Sequence, residues 1–540
     1  MQQKINIKRI AIHLAIIGVC QLAWTQIPDK IEPFITPFGE FNFERPKFPA
    51  NKISIVDFGA QQGGEYKNTE AINKAIKQLS ASGGGTVIVP KGKWLTGPVV
   101  LLSNINLHLE EGAELLFSQD FNDYLPAVLT NWEGSEVYSY SPFIYSFEQE
   151  NIAITGKGTL DGRGKPWWKQ RSNGDYFRKS NALLREMNEN EVPVSERKFG
   201  SLERFLPPVF FGPLYCKNIL IEGVTFKYGA FWTINPSFCE NLIVRGVYIL
   251  TNGDYGDTPN GDGINPNSCK DVLIEYNTLD TGDDCITLKS GRDKDGRRIG
   301  MPCKNILIRY NTGLQGHGGI VIGSEMSGGV ENVYAHDCTF NGTDRVIRIK
   351  TARGRGGYVK NCWFKDISAD TIQREAIRIN LLYTGGGRLP KQEVNSGTPV
   401  VENIHYENIG CKYAKRNVIQ IIGLPEMPVK NITFKNMKLE GNLGIEITDA
   451  NNITFENITT SNKTGAPLNI SFSENITINS LTIKETAPEK LPLQLNEVNN
   501  IELNKITYNI DKEKVMITGE SNNITTDSSI SQEEIIYQKK

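Results

Sequence analysis

"CKNILIEGVTF" (residues 216–226) returns as "CENLIVRGVYI" (239–249), "CKDVLIEYNTL" (269–279), "CKNILIRYNTG" (303–313) and "VENVYAHDCTF" (330–340). Each copy is an Asn or Asp, a short apolar run, a polar turn and a second short run. The template continues in "VENIHYENI" (401–409), "VKNITFKNM" (429–437), "NNITFENI" (451–458), "SENITINSLTI" (473–483) and "VNNIELNKITY" (498–508). Asn218, Asn241, Asn305, Asn332, Asn403, Asn431, Asn452, Asn475 and Asn500 lie mostly 21 to 34 residues apart, with Asp271 in the slot between Asn241 and Asn305. No single unit can bury its apolar face, so units must stack coil on coil. A period this short, without helices, points to an all-β right-handed parallel β-helix with an asparagine ladder at one turn. The same repeat accounts for the "NIT" triplets without glycosylation.

A solenoid needs covered ends. "NTEAINKAIKQLSASGGG" (68–85) has the spacing of an amphipathic helix stopped by glycine, placed to cap the N-terminal coil. Residues 166–206 interrupt the repeat with a charged, partly helical insertion. Lys4, Lys8 and Arg9 followed by the apolar "IAIHLAIIGVC" (10–20) have the form of an export signal, too short to span a bilayer. The expected organisation is a signal peptide over 1–25, one β-helix domain over 50–525 and a frayed tail over 526–540. The mature chain is expected to be exported, periplasmic or extracellular, monomeric and without a membrane span.

With 540 residues, 39% hydrophobic, and a net charge of -2, the chain is neither disordered nor a nucleic-acid binder that relies on global charge. Cys216, Cys239, Cys269 and Cys303 share one slot of the repeat, and no C-x-x-C pair supports a zinc site. Stacked, buried thiols fit that register better than disulfides.

Within the repeat, "LDTGDDCITLK" (279–289) sets two carboxylates side by side, Asp283 and Asp284, at the entry to an apolar strand. Like charges so close resist ionising together. One coil earlier, "NGDGINPNSC" (260–269) carries Asn260 and Asp262, the latter 21 residues before Asp283 and so within the repeat period. Stacked coils are about 4.8 Å apart, so Asp262 is expected beside the pair. For Asp283 and Asp284 to share a face the chain must turn or bulge there, with Thr281-Gly282 supplying backbone freedom. "GLQGHGGIVIG" (313–323) presents His317 between glycines, and "RVIRIKTARGRG" (345–356) sets Arg348 and Lys350 two apart, on one strand face. From Ile286 to Arg355 there are twelve Lys or Arg against six Asp or Glu, a local excess suited to an acidic ligand.

In that order, "NGD", "GDDC", "GHG" and "RIK" resemble the signature of the polygalacturonase family of glycoside hydrolases, and the resemblance extends over most of residues 50–385, including "IVDFGAQ" (55–61) and "GGGTVIVPKGKW" (83–94). It implies hydrolysis of the α-1,4-linked galacturonan of pectin with inversion, an acidic polysaccharide or oligosaccharide as partner, and no metal or cofactor. It also implies roles: Asp283 as proton donor, Asp262 and Asp284 as the pair that activates water, His317 as the histidine tuning the acid, Arg348 and Lys350 as the clamp on a galacturonate carboxylate, with Asn260 and Tyr383 among the binding residues. Inverting hydrolysis requires such an acid and base on opposite faces of the sugar. One departure is Gly261, where the family commonly has Thr; the expected consequence is a looser Asp262 backbone.

"KSGRDKDGRRIG" (289–300) resembles the exo-acting branch, and the 166–206 insertion falls where a loop could close a cleft into a pocket. Beside this exo reading stand endo action, a rhamnogalacturonan-type hydrolase of the same family, a calcium-dependent pectate lyase and a non-catalytic glycan-binding β-helix. The blander reading of Tyr383 is a core residue, and of the insertion a solvated surface feature.

Overall fold

The computed structural model describes residues 27–253, 256–383, 387–484, 488–510 and 513–538. The expected signal peptide lies outside the described residues, among which no helix is long and apolar enough to cross a membrane.

The strands form three columns of parallel pairs. One climbs through Ile105–Leu109, Glu150–Gly156, Lys217–Glu222, Glu240–Arg245, Lys270–Glu275, Cys303–Arg309 and Val330–His336 into the C-terminal coils. A second follows one turn later, through Thr225–Lys227, Tyr248–Leu250 and Thr278–Asp280. A third carries Ile286–Leu288, Ile320–Gly323, Ile347–Lys350 and Ile377–Asn380. This is the right-handed parallel β-helix of the repeat pattern. Inward residues such as Ile219, Leu242, Val272, Ile306 and Val333 are fully buried in one continuous core.

The asparagine ladder forms at the turn before the first column. Asn241 donates to Asn218 at 2.8 Å, Asn305 to Asp271 at 2.8 Å and Asn332 to Asn305 at 3.1 Å. Asn361, not recognised in the repeat, fills the gap between Asn332 and Asn403. Each rung sits at positive φ (Asn218 54°, Asn305 58°), a conformation Asn tolerates better than other side-chain-bearing residues. Cys216, Cys239, Cys269 and Cys303 are free and buried.

Helix Thr69–Ala81 buries Ala71, Ile72, Ala75, Ile76 and Leu79 over the N-terminal coil. At Gly84 (φ 102°) a Cβ would lie 2.4 Å from Asn104, so only glycine closes this turn. The C-terminal segment differs from the expected frayed tail: Ile535–Gln538 pairs in register with Val515–Thr518, adding a further strand to the third column.

Residues 27–48, ahead of the expected domain start, strap the outer face of the first column. Ile31, Phe34 and Phe43 cover Ala153, Leu220, Ile243, Leu273 and Leu307. Beside them runs a ladder of alternating charge, Glu222, Arg245, Glu275 and Arg309, paired in register. Arg245 bonds Glu275 at 2.7 Å and Glu222 at 3.0 Å, Arg309 bonds Glu275 at 2.7 Å, and Arg45 of the strap grips Glu222 at 2.7 and 2.8 Å. Full pairing is what makes such burial of charge tolerable.

The insertion is built rather than solvated. Helices Lys165–Ser172 and Tyr176–Glu189 follow one another, and Leu184, Phe199 and Leu206 pack with Trp132, Val137, Phe231 and Trp232. Arg197 bonds Asp295 at 2.8 Å, almost wholly buried, joining the insertion to helix Asp293–Ile299.

Candidate active site

The third column carries the site. Between Asp280 and Ile286 the chain leaves the ladder, with a register shift at Leu279/Asp280. Gly282 is needed there for close approach rather than unusual φ: a Cβ would stand 2.9 Å from the Thr258 carbonyl oxygen. Pairing of Ile264 with Ile286, and the 2.9 Å bond from the Gly263 N–H to the Asp284 carbonyl, bring Asp262 into register with Asp284 rather than Asp283. Gly261 does not loosen this coil. Its carbonyl accepts from Thr251 Oγ1 at 2.5 Å, and a Cβ would meet Thr251 and Thr258 at 2.8 Å, so a threonine would not fit this packing.

All eight residues singled out in the sequence, Asn260, Asp262, Asp283, Asp284, His317, Arg348, Lys350 and Tyr383, line one cavity of about 480 Å³. Asp283 Oδ1 faces His317 Nδ1 at 3.0 Å and accepts the Asp284 N–H at 2.9 Å, while Oδ2 accepts from Asn260 Nδ2 at 3.3 Å. Asp284 Oδ2 accepts from Lys350 at 2.7 Å, and Asp262 Oδ2 accepts from Asn265 at 3.0 Å with Lys289 at 3.7 Å. Oδ1 of Asp262 and Oδ1 of Asp284 are buried without a donor among the described residues. Lys350 is thus engaged by Asp284, whereas the buried Nε of Arg348 has no hydrogen-bond partner among the described residues. Half-buried Tyr383 forms cavity wall rather than core, its ring centroid 6.0 Å from Lys350 Nζ.

Burial, then the charges of Asp283 and Asp284, push the Asp262 carboxyl well above the usual range, opposed by Lys289 and Lys350. A neutral carboxyl also costs less than a carboxylate to leave buried and short of donors. Burial acts upward on Asp283 too, but the His317 hydrogen bond, Lys350 and the His317 charge outweigh it and hold this carboxyl low. The same bond to Asp283 raises His317 to about 9 against its partial burial. The cluster therefore favours the neutral form of Asp262 and a protonated His317 against ionised Asp283, in a coupled set.

Sequence reasoning missed the far wall. Glu133, Arg185, Arg292, Asp293, Glu325 and Arg355 line the same cavity. Lys289 Nζ bonds Glu325 at 3.1 Å and lies 4.3 Å from the Trp232 ring centroid. Burial raises Glu325, but Lys289, Arg292, Arg355 and Lys350 together hold it well below the usual range. Most of these residues lie in stretches already marked, "KSGRDKDGRRIG", "RVIRIKTARGRG" and the insertion; Glu133 and Trp232 carried no local signal.

Residues 204–446 match the profile of Glycosyl hydrolases family 28. The chain is 30% identical over 399 residues to a probable polygalacturonase of Vitis vinifera, covering 72% of this chain and 74% of that protein. It is 26% identical over 471 residues to an exo-poly-alpha-D-galacturonosidase of Dickeya chrysanthemi, covering 80% and 75%. The crystal structure of a hyperthermoactive exopolygalacturonase from Thermotoga maritima superposes with a TM-score of 0.68 at 37% identity, covering 82% of this chain and 93% of that one.

Proposed function

The chain belongs to glycosyl hydrolase family 28, and from that premise we propose that it hydrolyses α-1,4-linked galacturonic acid in pectin, with inversion, from the non-reducing chain end. The observation that carries this reading is one cavity in which carboxyls of opposed proton affinity, Asp262 and Asp283, stand with Asp284 and with Arg348, whose buried Nε has no hydrogen-bond partner among the described residues.

Arg348 takes the carboxylate of the bound sugar, with Lys350 alongside and Tyr383 against the ring. The substrate's negative charge favours the neutral carboxyl of Asp283, with its proton on Oδ2, the oxygen that does not face His317. Asp283 gives that proton to the glycosidic oxygen as the C1–O bond breaks. Water attacks C1 from the opposite face and yields its proton to the Asp262–Asp284 pair, so Asp262 must first be ionised. The products are the β-anomer of galacturonic acid and a chain one residue shorter. Chain-end action is supported by the wall of Glu133, Arg185, Arg292 and Asp293, which the insertion and its neighbours hold at the cavity. The N-terminal basic and apolar segment supports export, and a monomer is the simplest form consistent with a site built from one chain.

The test is a time course on de-esterified polygalacturonate, following products, viscosity and ultraviolet absorbance together. Monomer from the start with slowly falling viscosity is expected. A ladder of oligomers with rapid viscosity loss would make the enzyme endo-acting, and absorbance from unsaturated ends would replace hydrolysis by elimination.

A further inference from the structure

Arg171 lies in the first helix of the insertion, outside every repeat motif. Its guanidinium packs 4.4 Å from the Phe177 ring centroid and 5.7 Å from that of Phe231. Its Nη1 donates to the Pro259 carbonyl at 3.1 Å, and its Nη2 donates to Asn260 Oδ1. We propose that Arg171 is a positioning residue for the catalytic acid, acting through Asn260 to direct the proton of Asp283.

Asn260 stands between Arg171 and Asp283. A guanidinium only donates, so the amide oxygen must face Arg171 and the amide nitrogen must face Asp283. Asn260 Nδ2 then donates to Asp283 Oδ2 at 3.3 Å. The other oxygen, Oδ1, is already met by His317 Nδ1 and the Asp284 N–H. A proton carried on Oδ2 is thereby turned away from Asn260 and towards the cavity. Without Arg171 the amide is free to reverse, offering Asp283 an acceptor that would take the proton's direction for itself. The positive charge of Arg171, close enough to interact with Asp283 and Asp262, also favours their ionised forms. The insertion thus supplies orientation to the acid as well as a wall.

This inference rests on the reading of Asp283 as the acid, and the experiment separates the two. Arg171→Met keeps a stem to pack on Phe177 and Phe231 but removes donors and charge; Arg171→Lys keeps the charge without the paired grip. Each is measured for kcat, KM, pH profile and thermal midpoint, with Asn260→Ala, the Arg171→Met/Asn260→Ala double variant and Asp283→Asn alongside. Expected for Arg171→Met is a kcat about tenfold lower, as for loss of one hydrogen bond to a charged group, with KM little changed. Its alkaline limb should move to higher pH, because removing a cation lets the acid hold its proton longer. Arg171→Lys should restore the limb but not all of kcat. In the double variant, the second substitution should cost little more in kcat than Asn260→Ala alone. Strict additivity, or a lowered thermal midpoint with kcat and limb unmoved, would overturn the role of Arg171 while an inactive Asp283→Asn leaves the acid in place. An active Asp283→Asn would overturn both.

Discussion

The coils between Cys216 and Arg355 and those between Val429 and Thr526 come from one sequence template but differ in what they bury. In the first region Asp262, Asp284, Lys289, Glu325 and Lys350 are all buried. Among the described residues, buried side-chain atoms without a protein hydrogen-bond partner gather there, on Thr233, Asn235, Ser237, Thr258, Asp262, Asn265, Asp284, Thr287, Ser290, Arg292, Ser327 and Arg348. In the second, Thr460 and Asn462 are the corresponding cases among the described residues. Long strands run unbroken over Val429–Thr448 and Ala450–Asn462, and Phe434 and Phe455 stack at 4.8 Å. The outer faces differ as well: Leu220, Ile243, Leu273 and Leu307 lie under the N-terminal strap, where Thr433, Thr454 and Thr477 occupy the same strand position further on. Regular repetition stabilises the one region, whereas the other spends stability on desolvated charge, as sites that tune proton affinity do.

The sharpest break in this comparison is expected at the carboxylates. Asp283→Asn should lower kcat by roughly 10²–10⁴-fold, the scale of acid–base catalysis. Asp262→Asn should lose activity similarly yet leave the thermal midpoint nearly unchanged, since burial already favours the neutral carboxyl at this position; a clear fall would show that the ionised Asp262 supports the fold. In the strap, Phe34→Ala removes a ring that is 2% exposed, beneath the Arg309 guanidinium at 4.0 Å. A loss of about 3 kcal/mol is expected, read by denaturant unfolding; an unchanged midpoint would mean the strap is dispensable.

His317→Gln sharpens the electrostatic side. The His317–Asp283 pair keeps its shared proton up to about 9. With only a carboxyl left to hold it, the alkaline limb of the pH profile should fall towards the carboxylate range, with kcat down about tenfold. The raised Asp262 carboxyl sets the acid limb, because activity requires its ionised form and disappears as pH falls through its value. A limb unmoved by His317→Gln would detach the histidine from the acid. The smallest effect belongs to the regular region. Asn452→Ala loses the 2.8 Å bond to Asn431 and places alanine at a φ of 55°. About 1 kcal/mol of stability should go, with kcat unchanged.

The solenoid was legible because its period is written in residues that all serve one purpose, as at Asn218, Asn241 and Asn305. The site was legible because its chemistry sits in short contiguous motifs on stacked coils. What escaped depends on distant segments meeting. The strap had a signal of its own: "NILI" at 218–221 is apolar on both strand faces, which a half-buried strand would not need. Recognising its cover still required folding the Phe-rich stretch 34–48 back over residues more than a hundred positions later. Glu133 and Trp232 reach the cavity, and Arg171 reaches Asn260 at its edge, through the packing of the insertion around the hairpin Val128–Ser139. The pairing of Asp262 with Asp284 rather than Asp283 turned on a single residue of register.

The most direct measurement is proton NMR of a short oligogalacturonate in the first minutes of reaction, before the anomers equilibrate. The expected result is galacturonic acid released alone, appearing first as the β-anomer. The α-anomer appearing first would contradict single displacement by the Asp262, Asp283 and Asp284 cluster, and a ladder of oligomers from internal cuts would contradict chain-end action.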